Sequence, residues 1–328
     1  MKVLVTGANG FLAGNIIRNL SIRGEEVYGM LRKNADLRNV KELTFNYVYG
    51  NLTNQEDLLR ATKGMEVVIH AAAVTSPTAR ANLYHEVNVK ASENLISAAI
   101  KNHCKRIIYI STSNTVGFGD IENPGTEELD ISREYSYYGY ATSKLAAEKI
   151  FKKTANSGLI EVIILNPVFM VGYNPVGNST MKIFDLFLKS NPLIIPSGGK
   201  NFIYVDDAAK SVCNSIYKGR NGERYLLSNE NLTYKEFYQK VESISKIRKR
   251  KIYIPDPILM IVGILSSLLN TFGLNLTLNK TNARILTIKS FYSSAKARTE
   301  LDLPQTEIDV AINEALMSYS SLKPVRLK

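Results

Sequence analysis

The fold of this chain is decided by residues 3–13, which read VLVTGANGFLA. An apolar run is followed by a turn containing Gly7 and Gly10, and a helical period of apolar residues then runs from Phe11 to Ile22. A strand that turns through glycines into a helix lets a pyrophosphate approach the free N–H groups of the helix N-terminus. The segment therefore predicts a dinucleotide-binding βα unit, although a tight turn without a ligand would show the same pattern.

Beyond this turn, short apolar runs alternate with helical patterns. Five runs predict further strands, at 27–31, 45–49, 66–70, 107–110 and 162–165. Helical patterns lie between them, near 54–62, 80–102 and 139–156. Strands that are apolar on both faces and separated by helices predict an α/β fold with a Rossmann-type doubly wound parallel sheet. We assign this dinucleotide-binding domain to 1–170, with contributions from about 200–218, and a smaller α/β substrate lobe to 171–328.

The composition is that of an ordinary globular protein. Of 328 residues, 45% are hydrophobic, 22% are charged and only 2 are cysteine, which excludes a disordered chain and a disulfide framework. Cys104 and Cys213 are too few for a metal cage, so we expect no metal site. They suit a reducing compartment, and no leader-like segment precedes the first strand, so we expect a cytoplasmic protein.

The net charge of +11 is concentrated in the second half of the chain. Residues 1–170 carry 19 Lys and Arg against 17 Asp and Glu, whereas residues 171–328 carry 22 against 13. The densest basic run is 246–251, and 258–278 has no charged residue. No nucleic-acid-binding motif accompanies this charge, and we expect no such partner. We expect a solvated basic run and a buried or amphipathic helix; a peripheral membrane contact near 246–278 is the less favoured alternative.

The end of the second strand distinguishes the two nicotinamide dinucleotides. An acidic residue there binds the ribose hydroxyls of NAD(H), whereas an arginine accommodates the additional phosphate of NADP(H). Here Arg32 and Lys33 follow the strand, and the first acid is Asp36. The sequence therefore predicts a preference for NADP(H), with NAD(H) as the alternative.

A series of motifs follows the first turn in a fixed order. They are TGANGFLA, GNLTNQEDL, VVIHAAA, YISTSNTVG, YATSK, LNPVFMVG, NFIYVDDAAK and SSAKARTELDLPQT. In this order they resemble the extended short-chain dehydrogenase/reductase superfamily, in the dihydroflavonol-reductase-like branch of its NAD-dependent epimerase/dehydratase family. The resemblance covers nearly the whole chain. It implies an NAD(P)-dependent oxidoreductase, and a homodimer in which the helices at 80–102 and 139–156 form a four-helix bundle.

The resemblance also implies the contacts of the dinucleotide. In addition to Arg32, the expected contacts are Gly7, Asn9, Gly10, Phe11, Leu12, Asn51, Leu52, Ala71, Ala72, Ala73 and Pro167. Asn51 and Leu52 would flank the adenine, where the family more often has Asp in place of Asn51. The three alanines would line the ribose and pyrophosphate, and Pro167 would hold the carboxamide through backbone groups.

The catalytic pair implied by the resemblance is Tyr140 and Lys144. Residues four apart share one face of a helix, so both side chains can reach the same site. The resemblance implies that Tyr140 and Lys144 also contact the cofactor. Lys144 would stabilise a tyrosinate and so lower the phenol pKa, which suits Tyr140 as the general acid. The same spacing occurs at two other places, but only Tyr140 follows the fifth strand and begins a helix; the others are Tyr292/Lys296 and Tyr319/Lys323.

A hydroxyl at the end of the fifth strand is the third expected catalytic group. The family's position for this hydroxyl falls on Thr112 when it is counted from the start of the strand, and on Ser113 when it is counted back from Val116. We favour Thr112 because strand registers are firmer than loop lengths.

The residues around this set favour simple hydride transfer. Sugar 4,6-dehydratases carry an Asp-Glu pair after the active-site Thr, which this chain lacks, and epimerases tend to have Arg-Asp where Lys200-Asn201 precedes Phe202. We expect transfer between NADP(H) and a carbonyl or secondary alcohol of a small, fairly apolar substrate. A nucleotide-sugar epimerase is the alternative. The complete catalytic set argues against a third function, a non-catalytic dinucleotide-binding protein.

Overall fold

A seven-stranded parallel sheet forms the centre of the protein. The structure, a computed structural model, describes residues 1–76, 79–177, 180–272, 274, 276 and 278–322. In spatial order the strands are β10 (Arg224–Leu227), β6 (Glu161–Pro167), β5 (Arg106–Ile110), β4 (Val67–His70), β1 (Lys2–Thr6), β2 (Glu26–Leu31) and β3 (Asn46–Tyr49). The chain builds the sheet outward from β1 in one direction and then returns to build β4, β5 and β6 in the other. The predicted doubly wound α/β sheet is therefore confirmed, with its switch point between β1 and β4.

Helices cover both faces of this sheet because successive strand residues point to opposite sides. On one face, Val3 and Val5 pack with α1 (Phe11–Ile22) and α7 (Val205–Lys218). On the other, Leu4 belongs to a core shared by three helices, which are α2 (Gln55–Thr62), α4 (Ala91–Lys101) and α5 (Gly139–Asn156). The helix expected over 80–102 consists of α3 (Ala81–Tyr84), a wide π-helical turn at His85–Lys90 and then α4.

A smaller α/β lobe lies beyond the carboxyl end of β6. Its larger sheet contains β7 (Phe169–Val171), β9 (Gly199–Tyr204), β11 (Glu230–Thr233) and β13 (Lys289–Ser290); its ribbon pairs β8 (Leu193–Ile195) with β12 (Lys251–Tyr253). Its helices are α6 (Met181–Lys189), α8 (Tyr234–Ser245), α9 (Asp256–Thr271), α10 (Lys280–Thr287) and α12 (Ile308–Leu322). A further helix, α11 (Ala295–Leu301), packs on α7 and β10 of the large sheet. In the sequence, α7 and β10 come between strands of the smaller lobe, although β10 belongs to the large sheet and α7 packs on that sheet. Segments of the two sheets therefore alternate along the chain. The division at residue 170 stays a prediction.

The uncharged segment, expected to form a buried or amphipathic helix, forms α9, which is largely exposed. Only a narrow face is buried, formed by Leu259, Gly263 and Ser266, and it packs on α10. A Cβ at Gly263 would lie 2.5 Å from that of Ala283, so the close approach of the two helices requires glycine there. Positions 273, 275 and 277 of the segment lie outside the described residues. Over the part of the chain that the structure describes, no helix is sufficiently long and apolar to cross a membrane.

A buried histidine ties β4 to its neighbours. His70 Nδ1 lies 2.8 Å from Thr6 Oγ1, and Nε2 lies 3.1 Å from Ser92 Oγ. The Ser92 hydroxyl donates its proton to the carbonyl oxygen of Asn88, so it accepts from Nε2–H. Nδ1 must then accept from Thr6. The network therefore holds a neutral ring in one tautomer, as a structural group rather than an acid.

This neutral imidazole makes the stability of the fold depend on pH. Burial, reinforced by the charge of Lys144, lowers the pKa of His70 from 6.5 to about 3. As the pH falls, the unfolded chain binds the proton first, so stability that is complete above about pH 6.5 is lost at about 1.4 kcal/mol per pH unit down to about pH 3. We expect the free energy of unfolding, measured with urea, to fall between pH 7 and pH 5 by about 2 kcal/mol more in the wild type than in His70→Asn.

The matched control for this prediction is His85→Asn, which removes an exposed ring. It should keep the wild-type difference between the two pH values. Equal losses in the wild type and His70→Asn would contradict the account of His70.

Candidate active site

The carboxyl ends of the central strands open onto one cavity of about 540 Å³. Its walls combine the β1–α1 turn, the residues after β5 and the start of α5 with groups from the smaller lobe, among them Lys200 and Tyr292. Ligands of open α/β sheets bind beyond the carboxyl ends of the strands, at the switch point. The cavity lies at that point.

The β1–α1 turn has the form that a pyrophosphate site requires. Gly7 has φ +66°, and its carbonyl accepts a hydrogen bond from the Gly10 N–H at 2.8 Å. A Cβ on Gly7 would lie 2.8 Å from Ala72 Cα, so only glycine passes there. Within the described residues no side chain caps α1, whose first N–H groups therefore remain available to an anion at the cavity wall.

Two buried polar side chains at the cavity also fit a polar ligand. Ser111 Oγ and both amide atoms of Asn174 have no hydrogen-bond partner in the described parts of the chain. Buried polar atoms are rarely left unpaired in native proteins. Together with the uncapped helix, these groups are compatible with a bound dinucleotide, whose contacts stay a prediction.

The structure brings Tyr140 and Lys144 together in the cavity wall at the start of α5. Lys144 is 2% exposed, and its Nζ donates to the carbonyl oxygen of Ile110 at 2.7 Å. Burial lowers the pKa of Lys144 to about 7, against the opposing charge of Glu148. Burial likewise raises the pKa of Tyr140 above its ordinary value, and a hydrogen bond with the Thr112 side chain opposes that rise. Tyr140 is thus a neutral donor before any ligand binds.

The two candidate hydroxyls after β5 have different neighbours. The Thr112 side chain accepts a hydrogen bond from the Asn114 N–H at 3.3 Å. At Ser113 it is the backbone carbonyl that makes a contact, accepting from the Tyr292 hydroxyl at 3.1 Å. Both residues line the cavity, and of the two it is the Thr112 side chain that lowers the pKa of Tyr140. This geometry is compatible with the role expected for Thr112, which stays a prediction.

Behind Lys144 lies a buried carboxylate that the sequence analysis missed. Glu148, one helical turn further along α5, is 3% exposed. Its Oε1 lies 2.6 Å from Thr115 Oγ1 and accepts from Asn166 Nδ2 at 2.7 Å. It links the ends of β5 and β6 to α5 and so helps position Lys144. The only sequence signal was its spacing of four residues from Lys144.

The expected dinucleotide contacts divide into three groups. Those at the cavity wall are Asn9, Gly10, Phe11, Leu12, Ala71, Ala73, Tyr140, Lys144 and Pro167. Gly7 and Ala72 form the close contact behind that wall. Arg32, Asn51 and Leu52 lie outside it: Arg32 is exposed after β2, and the Asn51 side chain accepts from the Thr53 N–H.

Of the two other tyrosine–lysine pairs, the one that lies wholly within the described residues does not form a comparable site. Tyr292 lines the cavity, but Lys296 points elsewhere and its Nζ lies 2.6 Å from a Glu223 carboxylate oxygen. Lys323 lies outside the described residues.

Much of the cavity's far wall was not predicted from the sequence. It includes Tyr135, Tyr138, Asn174, Lys200 and Tyr292. The tyrosine-rich stretch YSYYGY at 135–140 was an available signal. The other residues come from distant segments that only the folded smaller lobe brings together.

Comparison with known proteins identifies the family. The model of the NAD dependent epimerase/dehydratase family matches residues 3–228, and the chain belongs to this family. Sterol demethylase protein B of Methylococcus capsulatus is 28% identical over 326 residues, 96% of this chain and 97% of that protein. A Synechocystis protein named provisionally as a dihydroflavonol 4-reductase is 26% identical over 95% of this chain and 92% of its own.

A solved structure extends the likeness to three dimensions. The crystal structure of gox2253 superimposes with a TM-score of 0.86 and 26% identity, covering 99% of both chains. Together with the family, these relatives make the chain an NAD(P)-dependent oxidoreductase of the extended short-chain dehydrogenase/reductase type.

The fit of the first turn gives a prediction with a matched control. Gly7→Ala adds both a positive-φ penalty and a clash with Ala72, whereas Gly24→Ala adds only the penalty, because φ is +76° there and its Cβ meets nothing within 4 Å. We expect each variant to lose about 1 kcal/mol of stability through φ. Dinucleotide affinity, measured by quenching of tyrosine fluorescence or by calorimetry, should fall at least tenfold in Gly7→Ala alone. Equal affinity in the two variants would contradict this account of the turn.

Proposed function

We propose that this family member reduces the carbonyl of a small, fairly apolar substrate with NADPH, and runs the reverse oxidation with NADP. The observation that carries the proposal is the Tyr140 phenol, which lies with Lys144 and Thr112 in the same cavity wall as the uncapped N-terminus of α1. A proton donor and a dinucleotide-binding turn at one site are what carbonyl reduction requires.

Each residue has a distinct part in this chemistry. When bound, the reduced nicotinamide supplies a hydride to the carbonyl carbon. Tyr140 donates its proton to the carbonyl oxygen, and Thr112 donates a hydrogen bond to the same oxygen. The alcohol and a tyrosinate result, and the tyrosinate regains its proton from solvent. Lys144, held by the Ile110 carbonyl, stabilises that tyrosinate through its positive charge.

The cavity favours an apolar substrate. Its wall beyond the catalytic set contains Val168, Phe169, Met170 and three tyrosines, with Lys200 as a cation among them. The names of the relatives, a sterol demethylase protein and a dihydroflavonol reductase, point to ring compounds of this kind. They support a cyclic ketone or alcohol rather than a nucleotide sugar.

The cofactor preference rests on the end of β2. Arg32 and Lys33 are exposed there, and the first acid of this segment, Asp36, is bound by Arg38, with Nη2 2.6 Å from Oδ2. A carboxylate engaged by an arginine is a poor acceptor for ribose hydroxyls, whereas exposed cations suit a phosphate. This arrangement supports NADP(H) over NAD(H).

The homodimer implied by the family resemblance belongs to the same proposal. It places α4 and α5, which contact each other within the chain, at the interface.

The catalytic assignment is tested by four variants in a screen of fused-ring and flavanone-type ketones that follows NADPH oxidation. Tyr140→Phe should lower kcat by about a hundredfold to ten-thousandfold, because it removes the proton donor. Thr112→Val should lower kcat at least tenfold, and Ser113→Ala should change it less than threefold. The control is Tyr137→Phe, since Tyr137 is 72% exposed and should retain full turnover.

Two results would contradict the assignment. One is full turnover by Tyr140→Phe with unchanged NADPH binding. The other is a larger loss in Ser113→Ala than in Thr112→Val. Turnover that leaves NADPH unconsumed and isomerises a nucleotide sugar would favour the epimerase.

Cofactor preference has its own test at Arg32. Arg32→Ala removes a charged hydrogen-bond donor, which is worth about tenfold to a hundredfold in affinity for the additional phosphate. We expect KM for NADPH to rise by that factor and KM for NADH to stay unchanged. Arg298→Ala, which removes an exposed arginine on α11, should alter neither value. An equal effect of Arg32→Ala on both cofactors would refute the preference.

A further inference from the structure

The helical hairpin of α9 and α10 exposes a large apolar surface, which we call the hairpin face. Its members are at least two-fifths exposed: Ile258, Ile261, Val262, Ile264, Leu265, Leu268, Leu269, Phe272, Leu274 and Leu276. Most recur every three or four residues and so follow one side of α9. Exposed leucines scattered singly need no explanation, but a contiguous apolar patch marks an interaction site.

The helix packs on the protein through few of its large side chains. Two of its three buried residues are the small Gly263 and Ser266, whereas Leu265 and Leu268 are 55% and 56% exposed. A helix that contributed only to the core would turn its large apolar residues inward. The sequence of α9 therefore suits an apolar environment outside the protein.

Positive charge flanks the hairpin face along the chain. Residues 246–290 contain eight Lys and Arg and one acid, Asp256. This segment thus carries a net +7 of the chain's +11. Lys246, Arg248 and Arg250 are exposed and form no ion pair with any described residue, and the run leads through β12 directly into α9. Unpaired cations beside an apolar helix complement an anionic surface with an apolar interior.

We propose that the hairpin face binds the surface of an anionic lipid bilayer. The apolar side chains enter the boundary between headgroups and acyl chains, and the cations contact the headgroups. Since α9 spans Asp256–Thr271, and is not sufficiently long and apolar to cross, it lies in the plane of the interface. This attachment goes beyond the proposed reaction and does not depend on it.

The attachment would place the bilayer near the catalytic cavity. From α10 the chain runs directly to Ser290 and Tyr292, which line the cavity. Arg284 of α10 pairs with Glu134 at 3.1 Å, next to Tyr135 in the cavity wall. An apolar substrate dissolved in the membrane would therefore reach the cavity along the hairpin.

The test is flotation of the full chain with vesicles of phosphatidylcholine alone or mixed with phosphatidylglycerol. We expect binding to the mixed vesicles that weakens in high salt. Leu265→Gln/Leu268→Gln should reduce it at least tenfold, as should Arg248→Glu/Arg250→Glu, which lies outside the helix. Circular dichroism and the urea midpoint should show that both double variants stay folded.

Matched controls separate the hairpin face from general surface effects. Ile22→Gln/Leu159→Gln replaces two other exposed apolar side chains, and Lys63→Glu/Arg298→Glu reverses two other exposed charges. Both should bind vesicles like the wild type. The proposal is overturned by no binding to the mixed vesicles, or by equal losses in the controls. It is equally overturned if the hairpin variants only dissociate a self-associated species, measured by sedimentation without lipid, because a second copy would then cover the face.

Discussion

The approach of the first turn to the end of β4 is the constraint on which the site depends. Residue 7 passes the backbone of Ala72 so closely that a single Cβ would lie 2.8 Å from Ala72 Cα. Only this approach brings the uncapped start of α1 to the cavity wall. The neutral ring of His70 stabilises this approach through Thr6. The Thr6 hydroxyl contacts that ring and also accepts a hydrogen bond from the Ala72 N–H at 3.3 Å. One backbone contact thus joins the stability of the sheet to its capacity to hold an anion.

The chain predicts those parts of the fold that local patterns encode. Strand and helix periods gave α1 and α5 with their observed bounds, because buried parallel strands and packed helices impose strict apolar spacing. The same logic located Tyr140 and Lys144, whose separation of four residues is a property of one helix. The identity of the catalytic hydroxyl could only be ranked, since it depends on how the loop after β5 is placed.

Contacts between distant segments were beyond sequence reasoning. Glu148, Lys200 and Tyr292 belong to the site or its support, yet each comes into place only when separate elements pack together. For a related reason the sequence left two forms open for the uncharged segment, a buried or an amphipathic helix. Apolar composition records a preference for an apolar environment, and does not say whether the protein or something outside it supplies that environment. Here α10 covers only a narrow face of α9.

The distribution of charge follows from these assignments. Residues 1–170 are nearly neutral, and the groups available to a dinucleotide there are helix N–H groups and a few cations such as Arg32. Most of the excess positive charge lies in the segment that contains the hairpin face. It is therefore assigned to binding at that face and not to the catalytic reaction. Most of the positive charge and the catalytic site therefore lie in different parts of the protein.

The most direct measurement of the central claim follows deuterium from NADPH that carries two deuterium atoms at C4 of the nicotinamide into a reduced ketone. Net hydride transfer with Tyr140 as proton donor predicts one labelled carbinol carbon for each NADPH consumed, and loss of that product in Tyr140→Phe. Label that stays on the dinucleotide, with no net consumption while a substrate is turned over, would contradict it.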